Sequence, residues 1–253
     1  MTAAWFTETA PGIGSIRVAT DERPYFEETA LDSLRAAAGE AAGDERLRAV
    51  LVEGGSRQFS AGAPAEVLLA DDSDARVEHL MAEAGRLLLG VPVPTIAVMS
   101  GHAVGGGLML GLWCDMAVLA EESLYGANFL DLGFTPGMGS TVLAGEAFGA
   151  TLGREMLLTG RLLKGREIRA AGAPIGHGVV PRAGVRPAAL RLAEEIADLP
   201  RDAVLLFKRY LAAERGDRLH GALRRESAMH REVLTRPATR RRIAERHPGE
   251  DRR

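Results

Sequence analysis

The strongest constraint on the fold is a regular alternation of short apolar runs with longer segments of helical periodicity. The runs are rich in Val and Ile, have the length of strands, and are bounded by Gly, Pro or charged residues. They occupy Ile13–Ala19, Ala49–Glu53, Thr95–Ser100, Met116–Ala120 and Gly178–Pro181. Continuous apolar runs of this kind predict strands that are buried on both faces. Short buried strands separated by helical crossovers predict an α/β fold with a parallel sheet.

The segments with helical periodicity lie between these runs until the pattern changes at Pro200. They are Glu27–Ala42, Asp74–Leu89, Met109–Trp113, Gly153–Leu158, Arg166–Ala171 and Pro187–Ala197. Beyond Pro200 no strand pattern returns, and Arg201–Ala213 and Arg218–Leu234 predict two amphipathic helices. Residues Arg236–Arg253 are crowded with arginine and glutamate, which favours a solvated tail over a patch that binds a partner.

Composition narrows the classes of function. The chain has 253 residues, 46% of them hydrophobic and 26% charged, as in ordinary globular proteins. A net charge of −3 disfavours a nucleic-acid binder. The single Cys114 can form neither an internal disulfide nor a cysteine-based metal site, and it fits a reducing cytosol. Without a signal peptide or a long apolar stretch, we expect a cytoplasmic protein with no membrane partner.

Two segments of small residues follow predicted strands, at Arg57–Pro64 and Ser100–Leu108. Small residues at a strand-to-helix junction let a ligand reach the backbone N–H groups that a helix N-terminus leaves unpaired. The charge bound there can be a phosphate or a developing enolate oxygen. Neither a phosphate loop ending in Gly-Lys-Ser/Thr nor a G-x-G-x-x-G fingerprint is present. The glycines can also simply permit close packing of a helix on a strand.

Four motifs in the same order resemble the crotonase (enoyl-CoA hydratase/isomerase) superfamily, over nearly the whole chain. They are Phe59–Ala63, Gly101–Gly107, Gly133–Gly139 and Gly153–Arg161. The first two resemble the two oxyanion loops of the superfamily. The third resembles its substrate loop, and the fourth resembles the helix and turn that follow later in its members.

This resemblance implies an architecture and a binding site. The fold is expected to be a crotonase-like spiral of repeated ββα units with a C-terminal helical region that mediates trimers. We expect the spiral core in residues 1–199, a helical annex with a charged tail in residues 200–253, and a homotrimer or hexamer. The resemblance also implies that the backbone N–H groups of Ala63 and Gly106 hold the carbonyl oxygen of an acyl thioester.

The sequence departs from a hydratase of this family at two positions. Such a hydratase uses two glutamates as an acid/base pair, and the corresponding residues here are Met109 and Phe129. Neither side chain transfers a proton, because a thioether is only a weak acceptor and a phenyl ring has no exchangeable hydrogen. The nearby Asp131 is offset by two residues and is expected to point elsewhere. Ordinary hydration of an enoyl thioester is therefore not expected.

An oxyanion hole without the two glutamates favours decarboxylation. A carboxylate vinylogous to a thioester can leave as carbon dioxide and push its electrons into a dienolate, which two N–H donors stabilise. Segments Ala127–Phe129 and Phe134–Gly139 look most like the decarboxylating homologues of polyketide β-branching cassettes. That likeness implies conversion of a 3-methylglutaconyl-type chain on the phosphopantetheine arm of an acyl carrier protein to a 3-methylcrotonyl-type product. No cofactor and no metal are expected.

One acid must then protonate carbon, and His230 is the expected donor. Decarboxylating members place a histidine in this C-terminal region, and the pKa of histidine suits proton transfer near neutral pH. The alternative is a histidine on a solvated helix face. The residues expected to contact substrate are Asn128, Thr135, Phe129 and Met109, although Asn128 and Thr135 can instead serve the local turn.

Other candidate residues are assigned structural roles. We expect His102 to satisfy a structural hydrogen bond and Cys114 to pack in the core. Lys208 and Arg209 are expected on a solvated helix face, with contact to the phosphates of coenzyme A or of a phosphopantetheine arm as the alternative.

Two observations leave the function open. Decarboxylating relatives use a lysine after the first oxyanion loop, whereas Pro64–Asp72 contains neither lysine nor arginine. A distant arginine such as Arg76 or Arg86 supplies the charge, or the substrate is handled differently. Dehydration of the preceding 3-hydroxy-3-alkylglutaryl thioester, alone or with decarboxylation, is the alternative activity. A non-catalytic protein that binds an acyl thioester is a further alternative, because a pseudoenzyme also lacks both glutamates.

Overall fold

The computed structural model describes residues 5–70 and 72–246, in which strands and helices alternate. The strands are β1 (Trp5–Ala10), β2 (Ile13–Arg17), β3 (Ala49–Glu53), β4 (Gln58–Ser60), β5 (Thr95–Met99), β6 (His102–Val104), β7 (Met116–Ala120), β8 (Leu124–Gly126), β9 (Leu162–Lys164) and β10 (Val179–Val180). The helices are α1 (Glu28–Gly43), α2 (Ala65–Leu69), α3 (Ser73–Leu89), α4 (Gly106–Leu112), α5 (Ser140–Phe148), α6 (Ala150–Thr159), α7 (Gly165–Ala170), α8 (Val185–Ala197), α9 (Arg201–Val233) and α10 (Pro237–Arg246).

The described strands form two sheets, and successive strands of each repeat enter different sheets. The larger sheet has the order β1-β2-β3-β5-β7-β10, and the smaller has the order β4-β6-β8-β9. Within the larger sheet only β1 and β2 pair antiparallel, and Ile96 of β5 lies opposite Met116 of β7. In the units β3–β4, β5–β6 and β7–β8, one strand joins the large sheet, the next joins the small sheet, and a helix follows. This repetition confirms the predicted spiral of ββα units.

The central strands are buried on both faces, as their continuous apolar runs predict. Every residue of β3 and of β5 is buried. One face of the large sheet packs into the main core with α1, α3 and α4, and the other face is covered by α8 through Val185, Ala189 and Ala193. The ends of both sheets near α4 are thereby fixed by packing, which positions the loops that follow β4 and β6.

The two helices predicted after Pro200 are one helix, so that expectation is wrong. Helix α9 runs without interruption from Arg201 to Val233 and includes Gly216 near its middle. A single glycine costs a helix only about 1 kcal/mol. A Cβ atom at position 216 would lie 3.5 Å from the Leu89 side chain, and α9 also packs against α5. Packing of α9 against neighbouring helices therefore outweighs the local sequence pattern that predicts a break in the helix.

The solvated tail predicted from Arg236 onward is also wrong over the range of α10. Ile243 is fully buried and Thr239 nearly so, and the Thr239 hydroxyl donates to the Gly133 carbonyl oxygen over 3.1 Å. Within this charged segment, the apolar side chain of Ile243 is buried and anchors the helix. Residues 247–253, including His247, lie outside the described residues.

Two arginines of α10 bind main-chain carbonyls on opposite sides of the helix. The Arg240 guanidinium donates to the carbonyl oxygens of Leu69 and Ala70, over 2.5 and 3.2 Å, at the end of α2. Arg242 donates to the Asp131 carbonyl oxygen over 2.5 Å. Helix α10 therefore connects α2 to the segment that follows β8.

The boundary predicted between residues 199 and 200 lies just before the start of α9 at Arg201. The division into a core and an annex stays a prediction. Among the described helices, none is both long and apolar enough to cross a membrane.

We predict that Ile243→Ala releases α10 from the body of the protein. Loss of a fully buried isoleucine side chain costs about 2–4 kcal/mol, and the cost falls on a peripheral helix with one apolar anchor. Hydrogen exchange measured by mass spectrometry should therefore accelerate in residues 237–246. Arg241→Ala, at an exposed position of the same helix, should leave exchange unchanged. Unchanged exchange in Ile243→Ala would show that the arginine contacts alone hold α10.

Candidate active site

The first bend of the site follows β4 and depends on Gly62. Gly62 has a φ of 76°, in the left-handed region that favours glycine. The segment before α1 holds this bend in place, because Ala61 N–H donates to Pro24 O and Phe26 N–H donates to Gly62 O, both over 2.8 Å. The bend therefore presents Ala63 at a defined position just before α2.

The second bend follows β6 and begins α4. Gly105 has a φ of 56°, and its N–H donates to the Gly126 carbonyl oxygen over 2.8 Å. Gly106 is the first residue of α4, where a backbone N–H has no acceptor within its own helix. The chain thus turns sharply from the small sheet into a buried helix, with the positive end of the helix dipole at the bend.

The two bends touch through their main chains. A Cβ atom at position 62 would lie 3.1 Å from the Gly106 nitrogen. One at position 107 would lie 2.0 Å from the Ser60 carbonyl oxygen, which is far inside van der Waals contact. No side chain larger than hydrogen fits at position 107, and at position 62 the close approach and the left-handed φ both favour glycine. The bends converge, as two cooperating N–H donors require.

Both bends open onto a cavity of about 200 Å³. Ala63 and Gly106 line this cavity from opposite bends. Most of the remaining lining is apolar, with Leu68 and Val77 on one side and three residues of the segment after β8 on the other. Those three are Phe129, Leu132 and Phe134. The cavity can therefore hold a small, largely apolar acyl group with its oxygen at the bends.

Polar side chains in the cavity wall are few. The described lining residues include Tyr25, Gln58, Asn128 and His230, and none of them is an aspartate, glutamate, lysine or arginine. The Gln58 amide donates to the carbonyl oxygens of Ser60 and His102, over 3.1 and 2.9 Å, and so ties the loops of the two bends together. In the described lining, the imidazole of His230 is therefore the group best suited to exchange a proton near neutral pH.

His230 enters the cavity from α9 and is only 6% exposed. Its Nε2 lies 2.6 Å from the Thr135 carbonyl oxygen. A carbonyl oxygen can only accept, so Nε2 carries the hydrogen in this contact. The ring also meets Phe134 edge-on, with centroids 5.9 Å apart. A solvated helix face, the alternative for this histidine, is contradicted by its burial.

Glycine at position 137 makes room for this imidazole. A Cβ atom there would lie 2.5 Å from His230 Cε1. The next residue, Met138, has a φ of 63°, and its carbonyl oxygen accepts a 3.1 Å hydrogen bond from the Trp113 indole. The substrate-loop motif is therefore a tight turn, shaped to receive a ring from α9.

The structure brings most of the predicted site residues together. Ala63, Gly106, Asn128, Phe129 and His230 all line the cavity. Met109 and Thr135 lie outside its described lining.

Met109 and Thr135 are placed behind the cavity wall. The Met109 side chain is fully buried in the main core. Thr135 contacts His230 through its carbonyl oxygen, while its hydroxyl is buried and has no hydrogen-bond partner among the described residues. Tyr25 and Gln58 also line the cavity. They were not identified from the sequence, because single polar residues beside a strand produce no periodic pattern.

Several weaker candidates lie away from the cavity. Asp131 forms ion pairs with Arg242 and Arg246 of α10, so its carboxylate is directed away from the lining. Lys208 is 3% exposed and is paired with Asp115 over 2.7 Å, which corrects the expectation of a solvated side chain. Neither Arg76 nor Arg86 is among the described residues that line the cavity, and none of those residues is an arginine.

His102 and Cys114 have the structural roles predicted for them. His102 Nδ1 accepts a 2.8 Å hydrogen bond from the Leu124 N–H, and burial together with Arg182 lowers the pKa of this histidine. Burial raises the pKa of the Cys114 thiol to about 12, so the thiol is not a nucleophile near neutral pH. No group of three or more metal-ligating side chains occurs in the part of the chain that the structure describes.

A spiral of ββα units with two touching main-chain bends over one acyl-sized cavity defines a crotonase fold. Comparisons with known proteins agree. Residues 11–245 match the family described as enoyl-CoA hydratase/isomerase. The bacillaene synthase decarboxylase PksI of Bacillus subtilis is 34% identical over 194 residues, which cover 75% of this chain and 75% of PksI. The chain therefore belongs to the enoyl-CoA hydratase/isomerase family.

Solved structures place decarboxylases among its relatives. The ECH2 decarboxylase domain of CurF from Lyngbya majuscula is 30% identical, with a TM-score of 0.87 over 97% of this chain and 99% of that domain. A chain from a dehydratase/decarboxylase enzyme couple involved in polyketide β-branching is 29% identical. Its TM-score is 0.88, over 98% of this chain and 100% of its own length.

We predict that Gly107→Ala disrupts the contact between the two bends. The new methyl group would meet the Ser60 carbonyl oxygen at 2.0 Å, so α4 must shift. The expected loss in the free energy of unfolding is about 1–3 kcal/mol, measured by urea denaturation. Gly39→Ala is the matched control, because a Cβ atom there meets nothing within 4 Å in the exposed part of α1. That control should gain about 0.5–1 kcal/mol, and equal effects in both variants would contradict the contact.

Proposed function

We propose that this chain decarboxylates a 3-alkylglutaconyl-type thioester on an acyl carrier protein to a 3-alkylcrotonyl-type thioester in polyketide β-branching. The observation that carries the proposal is the entry of His230 into the cavity onto which the bends of Ala63 and Gly106 open. The likeness to PksI and to the CurF decarboxylase domain supports a decarboxylation. The likeness to an enzyme couple of polyketide β-branching supports the pathway context.

The two bends stabilise the negative charge that forms during the reaction. The bond between the distal carboxylate and the γ-carbon breaks, and its electron pair moves through the double bond to the thioester oxygen. Carbon dioxide leaves and a dienolate remains. Backbone N–H groups of Ala63 and Gly106 donate to the dienolate oxygen, and their fixed positions avoid reorganisation when the charge appears.

His230 supplies the proton that completes the reaction. In the imidazolium form both ring nitrogens carry hydrogen, and the Thr135 carbonyl oxygen holds the one on Nε2. Nδ1–H is then the proton transferred to carbon, which yields the neutral product and neutral imidazole. The imidazole regains a proton from solvent. The electron pair stays on the substrate throughout, so the reaction needs no redox partner.

Burial in the cavity is proposed to destabilise the departing carboxylate, for which the imidazolium of His230 is the one cation among the described lining residues. None of the described lining residues is a lysine or arginine, and most of the lining is apolar. A carboxylate removed from water without a counter-charge is raised in free energy, and this cost is relieved when it becomes neutral carbon dioxide. Asn128 and Tyr25, both in the lining, are the neutral donors proposed to orient it.

The lining also disfavours hydration and dehydration. No aspartate or glutamate is among its described residues, and Phe129 occupies the wall at one position where a hydratase carries a glutamate. Addition or removal of water by a paired acid and base needs a second proton-transferring group beside the His230 imidazole, and the described lining offers no carboxylate for that role. Decarboxylation needs no such base, because the leaving carboxylate already supplies the electron pair.

The proposed assembly is a homotrimer or hexamer that receives a carrier protein. Large apolar side chains of the first half of α9 are exposed in the single chain, namely Leu206, Phe207 and Tyr210. Burial of such side chains against other copies supports oligomerisation. The small cavity supports an acyl chain delivered on a flexible arm from outside.

We predict that His230→Ala lowers kcat for decarboxylation by about 10²–10⁴-fold, because general acid catalysis contributes that much. Carrier protein loaded with a 3-methylglutaconyl group is incubated with enzyme, and intact-mass spectrometry follows the loss of carbon dioxide. His220→Ala is the control, since His220 lies exposed on the same helix. It should retain full activity. An unchanged rate for His230→Ala would remove His230 from the mechanism.

The same assay separates the alternative functions. Loss of one water from a carrier loaded with the 3-hydroxy-3-methylglutaryl group would identify a dehydratase. Binding of the loaded carrier without any mass change, for both acyl groups, would identify a non-catalytic acyl-thioester-binding protein.

A further inference from the structure

A buried carboxylate lies one helical turn before His230. Glu226 is 2% exposed and sits four residues earlier on α9, so both side chains project from one face of that helix. Its Oε2 accepts a 2.6 Å hydrogen bond from the Gly139 N–H. Its Oε1 accepts from the Thr141 N–H over 2.9 Å and from the Thr141 hydroxyl over 2.7 Å. These three donors belong to the turn that ends the substrate-loop motif and to the first turn of α5.

The bonds fasten a strained turn to α9. Met138 and Gly139 both adopt left-handed φ values, 63° and 77°, and a left-handed conformation is unfavourable for methionine. Trp113 holds this turn from the core side through the Met138 carbonyl oxygen. Glu226 holds it from the helix side through the Gly139 N–H. The turn therefore keeps its shape because it is bound on both sides.

The place of the His230 ring depends on the same turn. Gly137 lies against the imidazole, and Thr135 accepts from its Nε2. Helix α9 thus meets the substrate-loop segment at two contacts one helical turn apart, one made by Glu226 and the other by His230. A shift of the turn relative to α9 moves both the acceptor for Nε2 and the wall against which the ring packs.

Joining a helix to a turn through a buried carboxylate has a large desolvation cost. Burying an ionised group costs far more than burying an apolar side chain of similar size, unless it is fully hydrogen-bonded. Here the three bonds and the N-terminal end of α5 supply that compensation. The directional bonds fix the register of α9 against the turn, whereas apolar packing in the same place would allow sliding.

We propose that Glu226 is a positioning residue for proton transfer: it fixes the Gly137–Thr141 turn against α9 and so sets the place and orientation of the His230 imidazole. This role rests on the proposed function of His230. Glu226 is not among the described residues that line the cavity. It acts through the main chain of the turn.

The test compares Glu226→Gln in two backgrounds, wild type and His230→Ala. The amide of glutamine keeps one acceptor and turns a donor toward a main-chain N–H, so the turn shifts without loss of side-chain volume. In the wild-type background kcat should fall about 10- to 100-fold with KM nearly unchanged, because misplacement of a reacting group by about 1 Å has that effect. In the His230→Ala background the same change should alter kcat by less than about twofold.

Matched variants separate positioning from folding. Glu232→Gln, at an exposed position of α9, should behave like wild type. Thr141→Val removes one of the three donors and leaves the charge and both main-chain bonds. Thr141→Val should lower kcat a few-fold in the wild-type background and leave it unchanged in the His230→Ala background. This variant replaces Glu226→Gln in the test if circular dichroism shows that Glu226→Gln does not fold. An equal loss in both backgrounds, or no loss in either, would overturn the proposal.

A measurement without substrate keeps this inference distinct from the proposed reaction. The chain has six histidines, so the His230 C2–H signal in proton NMR can be assigned by its absence in His230→Ala. Glu226→Gln should shift and broaden that signal, and Glu232→Gln should not. If the wild type releases no carbon dioxide but the signal moves, the reaction is wrong and the positioning stands. If carbon dioxide is released but the signal and kcat are unaffected, the positioning is wrong.

Discussion

The site depends on one close approach, the main-chain contact between the bend at Gly62 and the bend at Gly106. Glycine allows the start of α4 to lie against Ser60 and Gly62 with no side chain between them. Packing of both sheets fixes the strands on which the bends are built, so the core holds the two N–H groups that are proposed as donors. Preorganised donors of this kind stabilise charge at a fixed point without moving when the charge appears. The residues that line the surrounding cavity then determine which reaction takes place at that point.

The other half of the site comes from a different part of the chain. The segment after β8 supplies apolar wall, and α9 supplies an imidazole that lies against Gly137, where a Cβ atom would collide with the ring. Apart from the imidazole of His230, the described lining residues offer a bound carboxylate only neutral donors. This balance suits a step in which charge moves from a leaving group to the thioester oxygen. It suits poorly any step that begins by activating water.

Much of the fold could be predicted from the sequence, because β3, β5 and β7 are apolar runs, and a continuous apolar run predicts a buried strand. The strands of the small sheet are only three residues long and carry too short a pattern to be recognised. The resemblance to the crotonase superfamily implied Ala63 and Gly106, and both line the cavity, whereas the glycines around them could not by themselves distinguish a binding site from close packing. Glu226 could not be predicted, since its three donors lie far away in sequence.

The two parts of the site come from segments that lie far apart in the chain. The bends follow β4 and β6, whereas the imidazole comes from α9. Helix α10 ties α2 to the segment after β8 through Arg240 and Arg242. The bends and the proposed proton donor therefore meet only through long-range packing, and a change that loosens α9 separates the donor from the bends without altering either bend.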